Sequence, residues 1–176
     1  MDGRRGRARG DGLFYDIIMA NANRETKIMQ SKKILLVEDN LDDVELTLMA
    51  LENSKFAGEV AVAHDGVEAL EYLNGAGKFA GRDSSLLPLV ILLDLKMPRM
   101  DGLEFLRRIR ADDKTRLVPV AILTTSNEEK DKVESYELGA NSFVRKPVDY
   151  AKFAGTIQQL GSYWLELNEV AIKAHG

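Results

Sequence analysis

The segment VILLDLKMPRMDGLEFLRRIR, residues 90–110, places a β-strand pattern directly before an α-helix pattern. With the leucine that precedes it, the run Leu89–Leu93 is entirely aliphatic and ends at Asp94. Apolar residues then recur at helical spacing within Leu103–Arg110. A strand without polar alternation is buried on both faces, and such strands are typical of parallel sheets that are covered by helices. The segment therefore predicts one strand–helix unit of an α/β protein.

The same order of strand and helix recurs on both sides of this segment. Strands are predicted at Lys33–Glu38, Glu59–Ala63, Leu89–Leu93, Val118–Leu123 and Ser142–Arg145, and helices at Asp42–Ser54, Val67–Asn74, Leu103–Arg110, Glu128–Leu138 and Asp149–Asn168. This pattern predicts an α/β fold, a doubly wound five-stranded parallel sheet with right-handed connections. Such a sheet binds ligands beyond the carboxyl ends of its strands, where the strand order reverses.

The composition excludes several classes of protein. Of the 176 residues, 45% are apolar and 30% are charged, which supports a packed core. The net charge of −4 excludes a globally basic nucleic-acid footprint, and we expect no direct nucleic-acid partner. The absence of cysteine excludes disulfides, thiolate metal sites and cysteine nucleophiles. Since no apolar run reaches the roughly 18–20 residues that span a bilayer, we expect a cytoplasmic protein without a membrane partner.

The composition of the N-terminal residues distinguishes them from the rest of the chain. Met1–Gly12 is rich in glycine and arginine and offers nothing apolar to bury. We therefore predict a basic, disordered N-terminal extension over residues 1–31. The domain is predicted over residues 32–170, and a C-terminal tail over residues 171–176.

Polar side chains follow four of the five predicted strands. Glu38 and Asp39 follow the first strand, Asp94 the third, Thr124 the fourth and Lys146 the fifth. Because the carboxyl ends of parallel strands meet at one edge, we expect these groups to converge. Clustered carboxylates need protons or a cation, and Mg²⁺ prefers carboxylate and phosphate oxygens. Asp94 is then placed to attack a phosphoryl group, while Mg²⁺ and Lys146 neutralise the developing charge.

Each of these residues has an ordinary structural explanation when taken alone, as a helix cap or a turn residue. Their combination resembles the receiver domain of bacterial two-component response regulators, from Ile34 to about Asn168. The resemblance rests on ILLVEDN (34–40), DGVEAL (65–70), VILLDLKMPRMDGLEFLRRIR (90–110), VAILTTS (120–126) and GANSFVRKP (139–147). It implies the flavodoxin-like (βα)5 receiver fold.

The resemblance also implies a role for each site residue. Asp94 is similar to the family's phosphoacceptor, and Asp39 to its direct Mg²⁺ ligand. Glu38 would bind the ion through water, and Lys96 would supply its backbone carbonyl. Lys146 matches the lysine that contacts the phosphoryl group.

A conformational switch is implied as well. Thr124 lies at the family's switch hydroxyl position and Phe143 at its aromatic switch position. Because Phe143 has no phenol hydroxyl, its switching is expected to work by packing. The Lys146–Pro147 bond is expected to be the family's cis peptide, since cis bonds are accessible mainly before proline.

Further features bear on the partners. No linker or output domain follows the last predicted helix, so we expect a stand-alone receiver that is not an enzyme. The long connection before the third strand, the TTS triplet (124–126) and YWLELNE (163–169) are similar to small response regulators paired with phytochrome-type kinases. The expected partner is a sensor histidine kinase, such as a bacteriophytochrome, or a phosphotransfer protein.

Other functions make different demands on the sequence. A haloacid-dehalogenase-type phosphatase needs a second acid two residues after the nucleophile, and that position is Lys96. A P-loop nucleotide site needs GxxxxGK[ST] after the first strand, where the chain has Glu-Asp-Asn. A receiver that serves only as a non-phosphorylated interaction module would not need the complete set of site residues.

The last helix carries a seam of apolar residues at alternating spacings of four and three: Phe153, Ile157, Leu160, Trp164 and Leu167. The first three are expected to face the sheet. Tyr163, Trp164 and Leu167 come later and are expected to be exposed, which is typical of an interface. We therefore predict a homodimer through the fourth helix, fifth strand and fifth helix that includes these three side chains.

Overall fold

The computed structural model describes residue 19, residues 33–54 and residues 58–169. Five strands and five α-helices alternate along these residues: β1 (Lys33–Val37), α1 (Leu41–Glu52), β2 (Glu59–Ala63), α2 (Gly66–Asn74), β3 (Val90–Leu93), α3 (Gly102–Ala111), β4 (Val120–Thr124), α4 (Glu129–Glu137), β5 (Ser142–Arg145) and α5 (Tyr150–Ser162). A 3₁₀ turn, Gly77–Phe79, follows α2, and a π-helical turn, Tyr163–Leu167, follows α5. In this part of the chain, no helix has both the length and the apolar character needed to cross a membrane.

The predicted flanks lie almost entirely outside the described residues. Only Met19 of the extension predicted over residues 1–31 is described, and none of the tail predicted over residues 171–176. The boundaries of the predicted domain, residues 32–170, therefore remain predictions.

All five strands pair in parallel, in the order β2-β1-β3-β4-β5. This order confirms the predicted doubly wound sheet and is that of flavodoxin-like proteins. The chain moves outward from β1 to β2 and then returns to β3 on the other side of β1. The strand order therefore reverses between β1 and β3, and their carboxyl ends border the crevice where such folds bind ligands.

One apolar layer covers each face of the sheet. Alternate residues of β1 divide between the layers, with Leu35 and Val37 on one face and Ile34 and Leu36 on the other. The first layer is completed by side chains of α2 and α3, including Tyr72 and Phe105. The second layer is completed by side chains of α1 and α5, namely Val44, Ala50, Leu51, Phe153 and Ile157. This double cover explains why the strands are continuous aliphatic runs.

Short polar side chains cap the N-termini of four of the helices. Asn40 accepts two backbone N–H groups of α1, and Asp65 accepts two of α2. Asp101 and Asp149 each accept one backbone N–H group, of α3 and of α5 respectively. Each cap satisfies an N–H group that has no partner within the helix, which contributes about 1 kcal/mol. The caps hold the helices close to the strand ends where the site residues lie.

Trp164 is buried, so the prediction that it is exposed at an interface is wrong. Its side chain is 6% exposed and belongs to the apolar layer formed with α1 and α5. That layer contains side chains of the sheet as well as of α1, and α5 packs closely against α1 three residues before Trp164: a Cβ built on Gly161 would lie 3.2 Å from Cδ2 of Leu51. By contrast, Tyr163 and Leu167 are exposed, at 50% and 73%.

The connection Gly75–Pro88, which its glycines and serines predict as an exposed loop, is tied to the core at two points. The ring of Phe79 packs edge-on against that of Tyr72, with 5.2 Å between the centroids. The guanidinium of Arg82 lies 3.9 Å from the centroid of the same Tyr72 ring. Aromatic and cation–π contacts of this kind hold a loop that its composition alone would leave free.

Candidate functional site

Three carboxylates meet at the carboxyl edge of the sheet. Glu38 and Asp39 follow β1 directly, and Asp94 follows β3, the neighbouring strand. One carboxylate oxygen from each of the three lies within 4.8 Å of the others. Glu38 and Asp94 are buried, whereas Asp39 is exposed. The structure thus brings together the three acidic residues that the sequence analysis assigned to one site.

Lys146 reaches the same edge from the end of β5. Its Nζ lies 2.5 Å from Oε2 of Glu38 and 2.7 Å from Oδ2 of Asp43, and the side chain is buried. The Lys146–Pro147 peptide bond is trans, so the expected cis bond is wrong. Trans is the form that X–Pro bonds favour, by about 0.5–1 kcal/mol.

Burial is the largest influence on the pKa values of both Glu38 and Lys146. Burial raises the pKa of Glu38 to about 7, against the opposing hydrogen bond and charge of Lys146. Burial also acts to lower the pKa of Lys146, but the charge of Asp94 and the hydrogen bonds to Asp43 and Glu38 outweigh it. The pKa of Lys146 therefore lies above its ordinary value. Lys146 carries its charge at neutral pH, while Glu38 titrates near neutrality.

Asp94 combines burial with an unpaired oxygen. Among the described residues, its Oδ1 has no hydrogen-bond partner and is shielded from solvent. The backbone around it is crowded, because a Cβ on Gly102 would lie only 2.2 Å from the carbonyl oxygen of Asp94. The glycine lets the start of α3 pack directly against the residue that follows β3.

Clustered carboxylate oxygens of this kind fit a hard divalent cation. Three carboxylates this close together repel one another, a cation between them relieves the repulsion, and the unpaired Oδ1 of Asp94 offers a ligand atom. Glu38, Asp39 and Asp94 are the residues that would hold such an ion. The backbone carbonyl of Lys96, assigned to the metal by resemblance, remains a prediction.

The hydroxyl side of the site is formed by β4. Thr124, the last residue of β4, is fully buried, and its Oγ1 accepts a hydrogen bond of 3.2 Å from the backbone N–H of Ser126. Phe143 lies on the adjacent strand β5, paired with Ile122. It is half-buried against the core layer that contains α2 and α3. Thr124 and Phe143 therefore occupy neighbouring strands, as a coupled switch requires.

Comparison with known families identifies the architecture. The family model of the response regulator receiver domain matches residues 34–158. The chain belongs to this family. This match confirms the resemblance inferred from the sequence motifs. Receiver domains are signalling modules.

Relatives of this receiver chain include other response regulators. Response regulator Rcp1 of Synechocystis sp. is 36% identical over 135 residues, which are 77% of this chain and 90% of Rcp1. A crystal structure of its Mn²⁺-bound form has a TM-score of 0.74 at 34% identity, covering 80% of this chain and 99% of that one.

Two further solved receivers are similar. The phosphorylated cyanobacterial phytochrome response regulator RcpA has a TM-score of 0.73 at 37% identity, covering 79% of this chain and 97% of RcpA. The bacteriophytochrome response regulator AtBRR has a TM-score of 0.60 at 53% identity, covering 78% of this chain and 98% of AtBRR.

The structure also places residues at the receiver site that the sequence analysis did not identify. Asp43 contacts Lys146 from the first turn of α1, one helical turn after Asp39. Asp131, in the first turn of α4, accepts a 2.6 Å hydrogen bond from the hydroxyl of Ser126. The place of Asp43 in the first turn of the helix predicted directly after Asp39 was a usable signal, whereas Asp131 looked like one acid among several in a polar helix.

Proposed function

We propose that the protein is a response regulator that accepts a phosphoryl group on Asp94, with Mg²⁺, from a sensor histidine kinase or a phosphotransfer protein. The observation that carries the proposal is the unpaired, buried Oδ1 of Asp94 beside Glu38 and Asp39. A carboxylate oxygen held in this way is available both as a ligand and as a nucleophile.

The reaction moves one phosphoryl group between two side chains. An oxygen of Asp94 forms a bond to phosphorus, and the bond from phosphorus to the donor's imidazole nitrogen breaks. The electron pair of that bond returns to the ring, which takes up a proton. Mg²⁺, when bound, neutralises charge on the transferred group. Glu38 and Asp39 would hold the cation, and its charge would then lie next to Asp94.

Lys146 and Thr124 would stabilise the product. Lys146 contacts Glu38 and Asp43 in this structure, so it must turn toward the new phosphoryl oxygens. Thr124 already accepts a hydrogen bond from Ser126, and its hydroxyl proton is not donated to any of the described residues. That proton is free to bond a phosphoryl oxygen, which would shift Thr124 and let Phe143 repack.

The kinase partner is proposed from the relatives. RcpA and AtBRR are named as phytochrome response regulators and match nearly their whole lengths to this chain. A phytochrome-type histidine kinase, such as a bacteriophytochrome, is therefore the proposed donor. Phosphotransfer profiling against purified histidine kinases, including a phytochrome kinase, tests this choice, and preferential labelling by an unrelated kinase would contradict it.

The phosphorylation itself is tested with a small phosphodonor. In Mg²⁺ and acetyl phosphate, the wild type should gain one alkali-labile phosphate, and Asp94→Asn should gain none. Asp101→Asn is the matched control, because Asp101 caps α3 and asparagine caps a helix equally well. Labelling of Asp94→Asn at the wild-type rate would overturn the proposal.

We also propose a homodimer through α4, β5 and α5. Trp164 is not part of this interface, because its side chain is buried. Val133 and Tyr136 of α4 are exposed, as are Tyr150 of α5 and Tyr163 and Leu167 beyond it. Such side chains are typical of interface anchors. Sedimentation should show a dimer in the wild type that the double variant Tyr163→Ser, Leu167→Ser weakens. A wild type that stays monomeric with and without a phosphate analogue would contradict this assembly.

A further inference from the structure

Asp131 joins two loops that border the phosphoacceptor. Its Oδ2 lies 2.9 Å from Nζ of Lys96, in the loop after β3, and accepts the hydrogen bond from Ser126, in the loop after β4. The carboxylate is 3% exposed, whereas the Lys96 side chain is 56% exposed. A solvent-accessible lysine is thus held at its tip by a buried acid of another element.

A purely structural explanation accounts for only part of this arrangement. An acid in the first turn of a helix is favoured by the helix dipole, and Asp131 is such a residue in α4. Glu129 already supplies a negative charge in the same turn. The dipole explanation also requires no lysine from another loop and no hydroxyl from Ser126. The dipole therefore leaves unexplained why Asp131 contacts both Lys96 and Ser126, which belong to two different loops.

The position of Lys96 provides that reason. Lys96 lies two residues after Asp94, on a flexible four-carbon stem that carries a compact positive charge. A cation near the transferred phosphoryl group stabilises its developing charge. Whether Lys96 contributes in this way depends on whether its ammonium is engaged elsewhere, and in this structure Asp131 engages it.

We propose that Asp131 is a positioning residue for phosphotransfer, which draws the ammonium of Lys96 toward α4 and keeps it away from the phosphoryl position on Asp94. Ser126 supports this function by holding the Asp131 carboxylate through its 2.6 Å hydrogen bond. The inference rests on the proposed phosphorylation of Asp94 and concerns how fast that reaction runs.

The test is the initial rate of phosphorylation by acetyl phosphate at saturating Mg²⁺, measured on the full chain. Asp131→Asn keeps the shape and can still bond Ser126, but it no longer holds an ammonium by charge. The rate should rise about fivefold, the effect expected when one ion pair of this exposure is released. In the Lys96→Met background, adding Asp131→Asn should produce no further rise.

Two control variants show whether the rise in rate comes merely from losing a negative charge in α4, and whether it can be tested without Asp131→Asn. Glu134→Gln removes one negative charge from the same helix, at an exposed residue that pairs with Arg107, and should leave the rate unchanged. Ser126→Ala loosens Asp131 without removing its charge, so it should give a smaller rise that also requires Lys96. If Asp131→Asn fails to fold, the phosphorylation rate of Ser126→Ala tests the proposal in its place.

Each outcome has a definite meaning. A rise in Asp131→Asn that persists in the Lys96→Met background, or no rise in either Asp131→Asn or Ser126→Ala, would overturn the inference. A wild type that takes no label would contradict the proposed function instead. The two failures are therefore distinguishable in one experiment.

Discussion

The carboxylate of Glu38 lies 2.5 Å from the ammonium of Lys146, although 108 positions separate the two residues in the chain. Both side chains are nearly fully buried. The pair exists because β1 and β5 end at the same edge of the sheet. It places the ammonium of Lys146 directly beside the carboxylates of the site.

Removing Lys146 should destabilise the metal-free protein in a pH-dependent way. Lys146→Met leaves Glu38 buried without its counter-charge, which costs about 3–5 kcal/mol of unfolding free energy. The pKa of Glu38 is raised to about 7 by burial, so the folded state binds more protons than the unfolded state between the ordinary value of 4.5 and that pH. Stability due to this group therefore falls as pH rises through that window, and without Lys146 the window extends upward.

Urea unfolding in chelator at pH 6 and pH 8 measures the effect. The deficit of Lys146→Met should be larger at pH 8. Lys152→Met, which replaces an exposed lysine of α5, is the control and should show no pH-dependent deficit. An equal deficit at both pH values for Lys146→Met would contradict the assignment.

Mg²⁺ should raise the melting temperature of the wild type. Ligand binding to the folded state adds about 2.7 kcal/mol at 100 times the dissociation constant. Asp39→Ala should abolish this gain, because it removes the exposed member of the carboxylate cluster. Asp42→Ala, which removes a nearby exposed acid outside the cluster, should keep it. A gain of wild-type size in Asp39→Ala would place the ion elsewhere.

Thr124→Val should separate phosphorylation from its consequences. The variant keeps Asp94 and the acidic cluster, so labelling by acetyl phosphate should continue. It loses the buried hydroxyl that would bond the phosphoryl group, and the coupling to partner binding or oligomerisation should fall at least severalfold. Sedimentation and kinase-binding assays with a phosphate analogue measure the coupling, and full coupling in Thr124→Val would count against this switch.

Gly102→Ala should lower stability even though alanine is the better helix former. The added Cβ would meet the carbonyl oxygen of Asp94 at 2.2 Å, and both groups belong to backbone that cannot easily move. We expect a loss of about 1–3 kcal/mol, as for other overpacked sites. Gly155→Ala in α5 meets nothing within 4 Å and should instead stabilise by about 0.5–1 kcal/mol. Comparing the two variants by urea denaturation tests the crowding at Asp94.

Truncation should destabilise the protein strongly at Trp164 and hardly at all at Leu167. Trp164→Ala removes a buried side chain from the layer between α1 and α5 and should cost about 3–5 kcal/mol. Leu167→Ala removes an exposed one and should change the unfolding free energy of the monomer by at most about 0.5 kcal/mol. Similar losses for both, measured by urea denaturation at low protein concentration, would show that the helix end is packed differently.

The amino-acid sequence alone determined the sheet and the acidic part of the site. An unbroken aliphatic run such as Val90–Leu93 is stable only with cover on both faces, which requires helices between parallel strands. Once the strands are parallel, residues that follow them meet at one edge. The convergence of Glu38, Asp39 and Asp94 could therefore be predicted without coordinates.

Tertiary structure alone decided the contacts that depend on the placement of helices against the sheet. Asp43 meets Lys146, and Asp131 meets Lys96, only because α1 and α4 are oriented by the packing of their other faces. Trp164 is buried in an apolar layer to which the sheet, α1 and α5 all contribute, and α5 packs closely against α1 at Gly161. Periodicity shows which residues share a helix face, but not how far a neighbouring helix reaches, since that is set by the packing of the whole core.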